Sequence, residues 1–405
     1  MIPPFFWLLL SLMLVVWTMA MCFAIDYGHI GRSLRQLNPE KYTEELPPLS
    51  VVIAAHNAAP QLRRHLPLML EQDFDRFEVI VVDMGSTDET KDVLERLEMQ
   101  YAHLRHTFTP ASARDISVER LALTLGFRAA RYEWVVITRP DCEPASSGWL
   151  TRIAEIIVCP GRSPQSPRLN TAEIVLGFSR YEERSRSWLD LQTGFFRLWN
   201  NLTNFQHVLS GHAAVKADAC NVAIRKDAFL EHGGFAIGQD LKAGAVELLV
   251  NQNSTPRNTA LLLSPAATVV QERVSSSSHW KQERVFYVET RRHQRHASLY
   301  RWTQFLRMIQ PWMILLCLFL PLVVGWVIVS SDDIPQILLL SLLTLLLIIY
   351  VVVKTVCFNQ TARQLACRQY GVTLFFFELA LPFWNLASAI RHRMAARNEF
   401  RKKFV

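Results

Sequence analysis

Apolar and polar positions divide the chain into three regimes. From about Pro3 to Ala24 the residues are apolar and uncharged, roughly the 20 that a spanning helix needs. Between residues 48 and 300 short apolar runs alternate with amphipathic ones. Farther on, Pro311–Ser330 and Ile334–Phe358 are again long and apolar, and Val372–Ile390 is a third run that contains Glu378, Pro382 and Asn385. In the middle regime Ser50–Ala55, Phe77–Asp83 and Leu104–Phe108 read as strands. The stretch Tyr132–Pro144 reads as a buried strand running into a turn that presents Asp141. Helices are expected over Gln61–Gln72, Glu89–Gln100 and Arg114–Arg131, and another behind a Ser N-cap at Ser146 or Ser147. Farther along, Glu173–Phe178, Asn221–Lys226 and Val269–Gln271 read as strands, and Ser187–Ser210, Leu241–Asn251 and His279–Arg295 as helices. Such alternation predicts an α/β fold with a doubly wound, mainly parallel sheet.

Charge sharpens the picture at the ends. The 405 residues carry a formal net charge of +7 with a pI near 9.1, and the basic residues cluster beside the apolar runs. That pattern points to a membrane surface and away from nucleic acid. The first basic residues, Arg32, Arg35 and Lys41, follow the first run, which places the amino terminus outside and the next domain in the cytoplasm. Arg291, Arg292, Arg295, Arg301 and Arg307 precede the later runs, and the loop Ser331–Asp333 has no positive charge. The expected organisation is a spanning helix at 1–25, a linker at 26–47, a cytoplasmic domain at 48–300 and two spans within 308–358. A re-entrant or interfacial segment at 372–390 and a basic tail at 391–405 complete it. The re-entrant reading rests on the cost of placing Glu378 in lipid. Seven scattered cysteines without a CxxC pair exclude a disulfide framework and a zinc site.

Candidate chemistry sits where an open α/β sheet binds ligands, outside the carboxyl ends of its strands. Asp83 and Asp141 are expected there, and Glu247 on a helix over the cleft. Taken singly, each is ordinary turn or cap chemistry. Two strand-end carboxylates in one parallel sheet suit a nucleotide whose diphosphate is held by a divalent metal on oxygen ligands.

Ser50–Asn57, Phe77–Asp88, Leu121–Ala130 and Trp134–Leu150 together resemble a membrane-bound family 2 glycosyltransferase of the GT-A fold. Asn221–Lys226, Gly234–Phe235, Leu248–Asn251 and Asn258–Pro265 extend the resemblance over about residues 48–300. It implies inverting transfer of a sugar from a nucleotide-sugar, a UDP-sugar by preference, to a lipid-linked or envelope glycan acceptor at the inner membrane. By the same resemblance Asp83 contacts the nucleotide, His56 and Asn57 lie against base and ribose, and Asp141 is the second Asp of a DxD motif that holds Mg²⁺ or Mn²⁺. Asn221 is what remains of a Gly-x-Gly-x-Asn block, and Gln282 and Arg284 echo a QxxRW element. The departures all thin the polar chemistry. Arg139 replaces the first Asp of DxD, which puts the metal in doubt. Ala245 stands nearest the position of the general base, which leaves Glu247 to serve. Two readings follow: a working transferase in which Arg139 and Arg284 offset diphosphate charge, or a weakened homologue acting as a nucleotide-binding or scaffold partner.

Overall fold

The structure is a computed structural model that describes residues 11, 13–17, 30–31, 45–110, 117–159, 171–183, 185, 187–231, 233–235, 241, 243–327 and 334–403. The chain forms two compact units, Ser33–Ala297 with Ser388–Val405, and Met1–Arg32 with Ser298–Ala387. In the first unit the elements run β1 (Leu49–Ala55), α1 (Ala59–Leu70), β2 (Phe77–Asp83), α2 (Thr90–Gln100), β3 (Leu104–Phe108), α3 (Val118–Ala129), β4 (Trp134–Thr138), β5 (Cys142–Pro144), α4 (Trp149–Val158), β6 (Ile174–Gly177) and β7 (Ser179–Tyr181). They continue with α5 (Trp188–Leu209), β8 (Val222–Arg225), α6 (Lys226–Glu231), α7 (Ala245–Asn253), β9 (Thr259–Leu262), β10 (Val269–Gln271) and α8 (Ser277–His293).

The main sheet has seven strands in the order β3-β2-β1-β4-β8-β6-β9. All its strands are parallel except β8, which pairs antiparallel with both β4 and β6. The fold is therefore the mixed α/β, mainly parallel architecture expected. Its central strands read as continuous apolar runs because helices cover both faces. β2 is buried along its whole length, and β1 along all but Ala54. At Gly126 of α3 a Cβ would lie 2.3 Å from Val52 Cγ1, so glycine is what lets that helix close on β1. A second sheet, β5-β10-β7, stands at the carboxyl edge, with β5 antiparallel and β7 parallel to β10.

Several boundaries differ from expectation for local reasons. The helix expected behind a Ser cap begins at Trp149 after Gly148 and has no side-chain cap of its own. Ser146 Oγ donates instead to the Ala266 carbonyl (2.7 Å), and the Trp149 amide is met by Gln72 Oε1 from outside the helix (3.1 Å). Ser187 does cap α5, accepting the Asp190 amide at 3.1 Å. α6 and the strands β7 and β9 are short elements that the apolar pattern did not mark.

The second unit is helical: α9 (Ser298–Val327), α10 (Ile334–Gln364) and the first part of α11 (Thr373–Lys403). Ser341–Gln364 and Thr373–Met394 are both long and apolar enough to cross a membrane. α11 is one continuous helix through Pro382. Glu378 is buried, and its carboxylate accepts from Lys354 Nζ at 2.7 Å. Pairing lowers the cost of placing that carboxylate in an apolar setting. The expected span at 1–25, the linker and the loop 331–333 lie largely outside the described residues.

Candidate active site

β1 and β2 run in register from Leu49 opposite Phe77 to Ala55 opposite Asp83, so their carboxyl ends are flush. This brings His56, Asn57 and Asp83 together. Asn57 adopts a left-handed backbone, φ +48°, which asparagine tolerates better than most residues. Its amide donates to Ser86 Oγ (2.8 Å), and its Oδ1 accepts the Thr87 amide (2.8 Å). Asp83 Oδ1 accepts both the amide (3.1 Å) and the hydroxyl (2.5 Å) of Ser86. The two loops are thereby stitched into one rigid edge.

At the end of β4 the expected acidic motif is an ion pair. Arg139 Nε donates to Asp141 Oδ1 at 3.0 Å and its Nη2 to Oδ2 at 3.3 Å. Gln271 Nε2 of β10 donates to Asp141 Oδ2 at 2.7 Å. Burial would raise the Asp141 carboxyl, but the Arg139 charge, these hydrogen bonds and the charge of Arg197 hold it below the usual carboxylate range. Burial alone would lower Arg139; the Asp141 charge overrides it and locks the guanidinium in its charged form.

Arg139 lines a cleft of about 310 Å³, whose other polar lining includes Arg197, Lys216, Asp218, Glu247 and Arg284. Asp141 stands behind Arg139 and does not line it. Glu247 lies in the first turn of α7, whose N-cap Gly244 has φ +81°. A Cβ there would come within 2.5 Å of Thr290 Oγ1, so glycine is required by both backbone and contact. Gln294 Nε2 donates to Glu247 Oε1 at 2.5 Å. Burial pushes the Glu247 carboxyl up to about 7, against the opposing pull of Lys216 and Gln294. Lys216 is pushed down by the same burial, which the Glu247 charge resists. Three cations in the cleft rest on aromatic faces: Arg197 over Tyr181 (3.8 Å), Lys216 over Tyr287 (4.3 Å) and Arg284 over Phe196 (4.1 Å). Such contacts fix long side chains and strengthen where water is excluded.

The structure thus gathers Arg139, Glu247 and Arg284 in one cleft, and His56, Asn57 and Asp83 on the strand edge. Two expected ligand residues are placed otherwise. Asn221 is 1% exposed; its Nδ2 donates to the Phe178 and Ala267 carbonyls (2.9 and 2.8 Å), and its Oδ1 accepts from Trp149 Nε1 (3.1 Å). It ties strands together beneath the cleft. Gln282 is exposed, because Trp280, Glu283, Arg284 and Tyr287 occupy the face of α8 that lines the cleft and residue 282 falls on the far side. Of the aromatic residues of α5, Phe195, Trp199 and Phe205 are core, Trp188 is 66% exposed, and Phe196 lines the cleft. Lys216 and Arg197 are additions that no sequence motif marked, and Asp218 is a further one inside the block that ends at Asn221. Arg197 Nη1 pairs with Asp218 at 3.3 Å.

A divalent cation needs several oxygen donors free to converge. Asp141 is already bound to a guanidinium and an amide, and a cation stands where the second carboxylate would be. Among the described residues no group of three His, Cys, Asp or Glu side chains is placed to hold a metal. At the end of β4 the side chains present offer a divalent cation one carboxylate, already paired with Arg139.

Residues 50–214 match the family model for Glycosyl transferase family 2. That stretch carries β1 to β4, α5 and both sides of the Arg139 turn. The mannosyltransferase PcManGT from Pyrobaculum calidifontis, solved with GDP-Man and Mn²⁺, is similar at 17% identity and a TM-score of 0.50, over 95% of this chain and 97% of its own. That likeness shows the fold, GT-A. TarS 1–349 of S. aureus, solved with UDP-GlcNAc, aligns at 14% identity and a TM-score of 0.40, over 83% of this chain and 91% of its own. No curated protein matches the chain.

Proposed function

We propose that the protein transfers a sugar from a nucleotide-diphospho-sugar to a membrane-associated glycan or lipid-linked acceptor by a single inverting displacement that needs no divalent metal. The observation that carries this reading is Arg139, bonded to Asp141 and lining the same cleft as a Glu247 carboxyl raised to about 7. The matched family and the nucleotide-sugars in the two structures above support a nucleotide-sugar donor. In the reaction an acceptor hydroxyl attacks the anomeric carbon as the bond to the diphosphate oxygen breaks, and Glu247 takes the hydroxyl proton. A carboxylate poised near neutral pH suits that task. Arg139, fixed as a cation and geometrically suited to bidentate phosphate contact, offsets the charge growing on the leaving diphosphate. The Asp83 edge receives the nucleoside. α9 to α11 anchor the chain in the inner membrane with the cleft on the cytoplasmic side.

The test is a screen of UDP- and GDP-sugars with the detergent-purified full chain, with Mn²⁺ or with EDTA. Transfer or donor hydrolysis should persist in EDTA, and Glu247→Gln should lower it by roughly 10²–10⁴-fold. Strict dependence on metal would sink the role given to Arg139. An unimpaired Glu247→Gln enzyme would sink the base.

A further inference from the structure

The small sheet that carries Asp141 and Gln271 is clamped from the opposite side by two adjacent residues of α1. His65 is 2% exposed. Its Nδ1 lies 3.0 Å from Glu143 Oε2 and its Nε2 2.9 Å from Glu272 Oε1. Arg64 reaches Glu182 Oε1 (3.2 Å) and Glu272 Oε1 (3.6 Å). Glu143 lies in β5, Glu182 directly follows β7, and Glu272 directly follows β10. Each strand of the small sheet therefore sends one carboxylate to the Arg64-His65 pair. The same backbone reaches the candidate site: the Glu272 amide donates to the Asp141 carbonyl (2.8 Å), and the Glu182 amide to the Gln271 carbonyl (2.7 Å). Ionised carboxylates only accept hydrogen bonds, and a neutral imidazole has a single N–H. Both contacts of His65 are satisfied together only when the ring carries both protons.

We infer that His65, doubly protonated, is a positioning residue that holds β5 and β10 in place behind Asp141, so that the seating of the donor diphosphate weakens as the ring gives up a proton. The groups facing the ring are Glu143 and Glu272, with Arg64 and Glu182 adjoining them. When Nε2 or Nδ1 loses its proton, a lone pair meets a carboxylate and that tie becomes repulsive. The strand bearing it keeps its ladder bonds within the small sheet but loses that side-chain tie to α1. A ring that served only to fill space would leave donor binding indifferent to this proton. The link to donor binding rests on the transferase reading above; the protonation and the clamp do not.

Three measurements on the full-length protein in detergent test this. The ¹⁵N resonances of His65, assigned by their loss in His65→Phe, should show both nitrogens protonated under the conditions in which UDP or GDP binds tightest; a neutral ring there overturns the inference. Hydrogen–deuterium exchange at 142–144 and 269–272 should rise in His65→Phe at fixed pH while the central strands stay protected. Unchanged exchange in the small sheet also overturns it. Finally, UDP and GDP binding by calorimetry should weaken roughly tenfold as the ring deprotonates, the factor of one charge-assisted hydrogen bond. Glu272→Gln gives Nε2 an amide that satisfies a neutral ring, so its binding should be flat over the same range. Parallel profiles for the two proteins refute the positioning role. Failure of either nucleotide to bind at any pH refutes the transferase reading, and the first two measurements then decide the clamp alone.

Discussion

At the scale of single residues the cleft is governed by which charges face which. The Glu247 carboxyl is raised to about 7 by burial and held from rising farther by the Lys216 charge and the Gln294 hydrogen bond. A base works as its carboxylate, so kcat/KM should climb with pH through about 7 and level off above it. Lys216→Met removes a positive charge that favours the ionised form, which moves that limb to higher pH. A limb that stays put or moves down in the variant would show that Glu247 is not the titrating base. The sequence exposed one half of this arrangement. Arg139 and Glu247 stood out because they sit in a recognisable order of blocks, one replacing an expected Asp and the other surviving in a thinned acidic cluster. Lys216 and Arg197 did not, because neither lies in a motif. α5 and the segment leading into β8 bring them to the cleft across a long stretch of chain. Asn221 illustrates the opposite error. The residue type is kept, yet its amide is spent on two carbonyls and an indole beneath the cleft.

At the scale of elements, period marked the sheet strands but not the pairing inside the last apolar helix. β1 and β2 fall where their apolar runs place them, since a strand covered on both faces is written as a plain apolar run. Glu378 looks costly as an isolated acid in an apolar run, and its partner lies 24 residues earlier on another helix. The buried pair of Lys354 and Glu378 pins α10 to α11. Breaking it by Lys354→Met leaves an uncompensated carboxylate, at a cost of about 3–5 kcal/mol. The expected result is faster loss of α10–α11 packing on heating in detergent, read by crosslinking between the two helices. The exchange Lys354→Glu with Glu378→Lys keeps opposite charges facing each other and should restore much of the loss. If the swap is no better than the single variant, the pair does not hold the helices together. Gln310 Nε2, which donates to Tyr350 Oη at 2.7 Å, is a second polar tie of the same kind between α9 and α10. Burial of polar groups in pairs leaves the remaining surface free to be apolar.

At the scale of the whole molecule that surface decides how the chain meets its surroundings. Leu342, Leu345, Ile349, Val352 and Val356 of α10 are each about half exposed, as are Phe383, Leu386 and Ile390 of α11. Apolar side chains at that exposure, with the Lys354–Glu378 pair turned inward, suit hydrocarbon and not water. Basic residues bracket the helical unit, from Arg291 to Arg307 on one side and from Arg391 to Lys403 on the other. On the membrane placement proposed above, the bias of positive charge toward the cytoplasm puts both brackets on one face of the bilayer. That arrangement asks for an even number of crossings between them, and α10 and α11 each contain a stretch long and apolar enough to cross. α9 begins with the exposed Trp302 and Phe305 close to Arg301 and Arg307, aromatic and basic neighbours of the sort found at the headgroup level. We propose α10 and α11, tied by Lys354 and Glu378, as the crossing pair. A fluorescent protein fused after Val405 should therefore fold and fluoresce in the cytoplasm, and a periplasmic phosphatase at the same point should stay inactive. An active phosphatase fusion would put the basic tail outside, make the crossings odd, and leave α9 to cross as well.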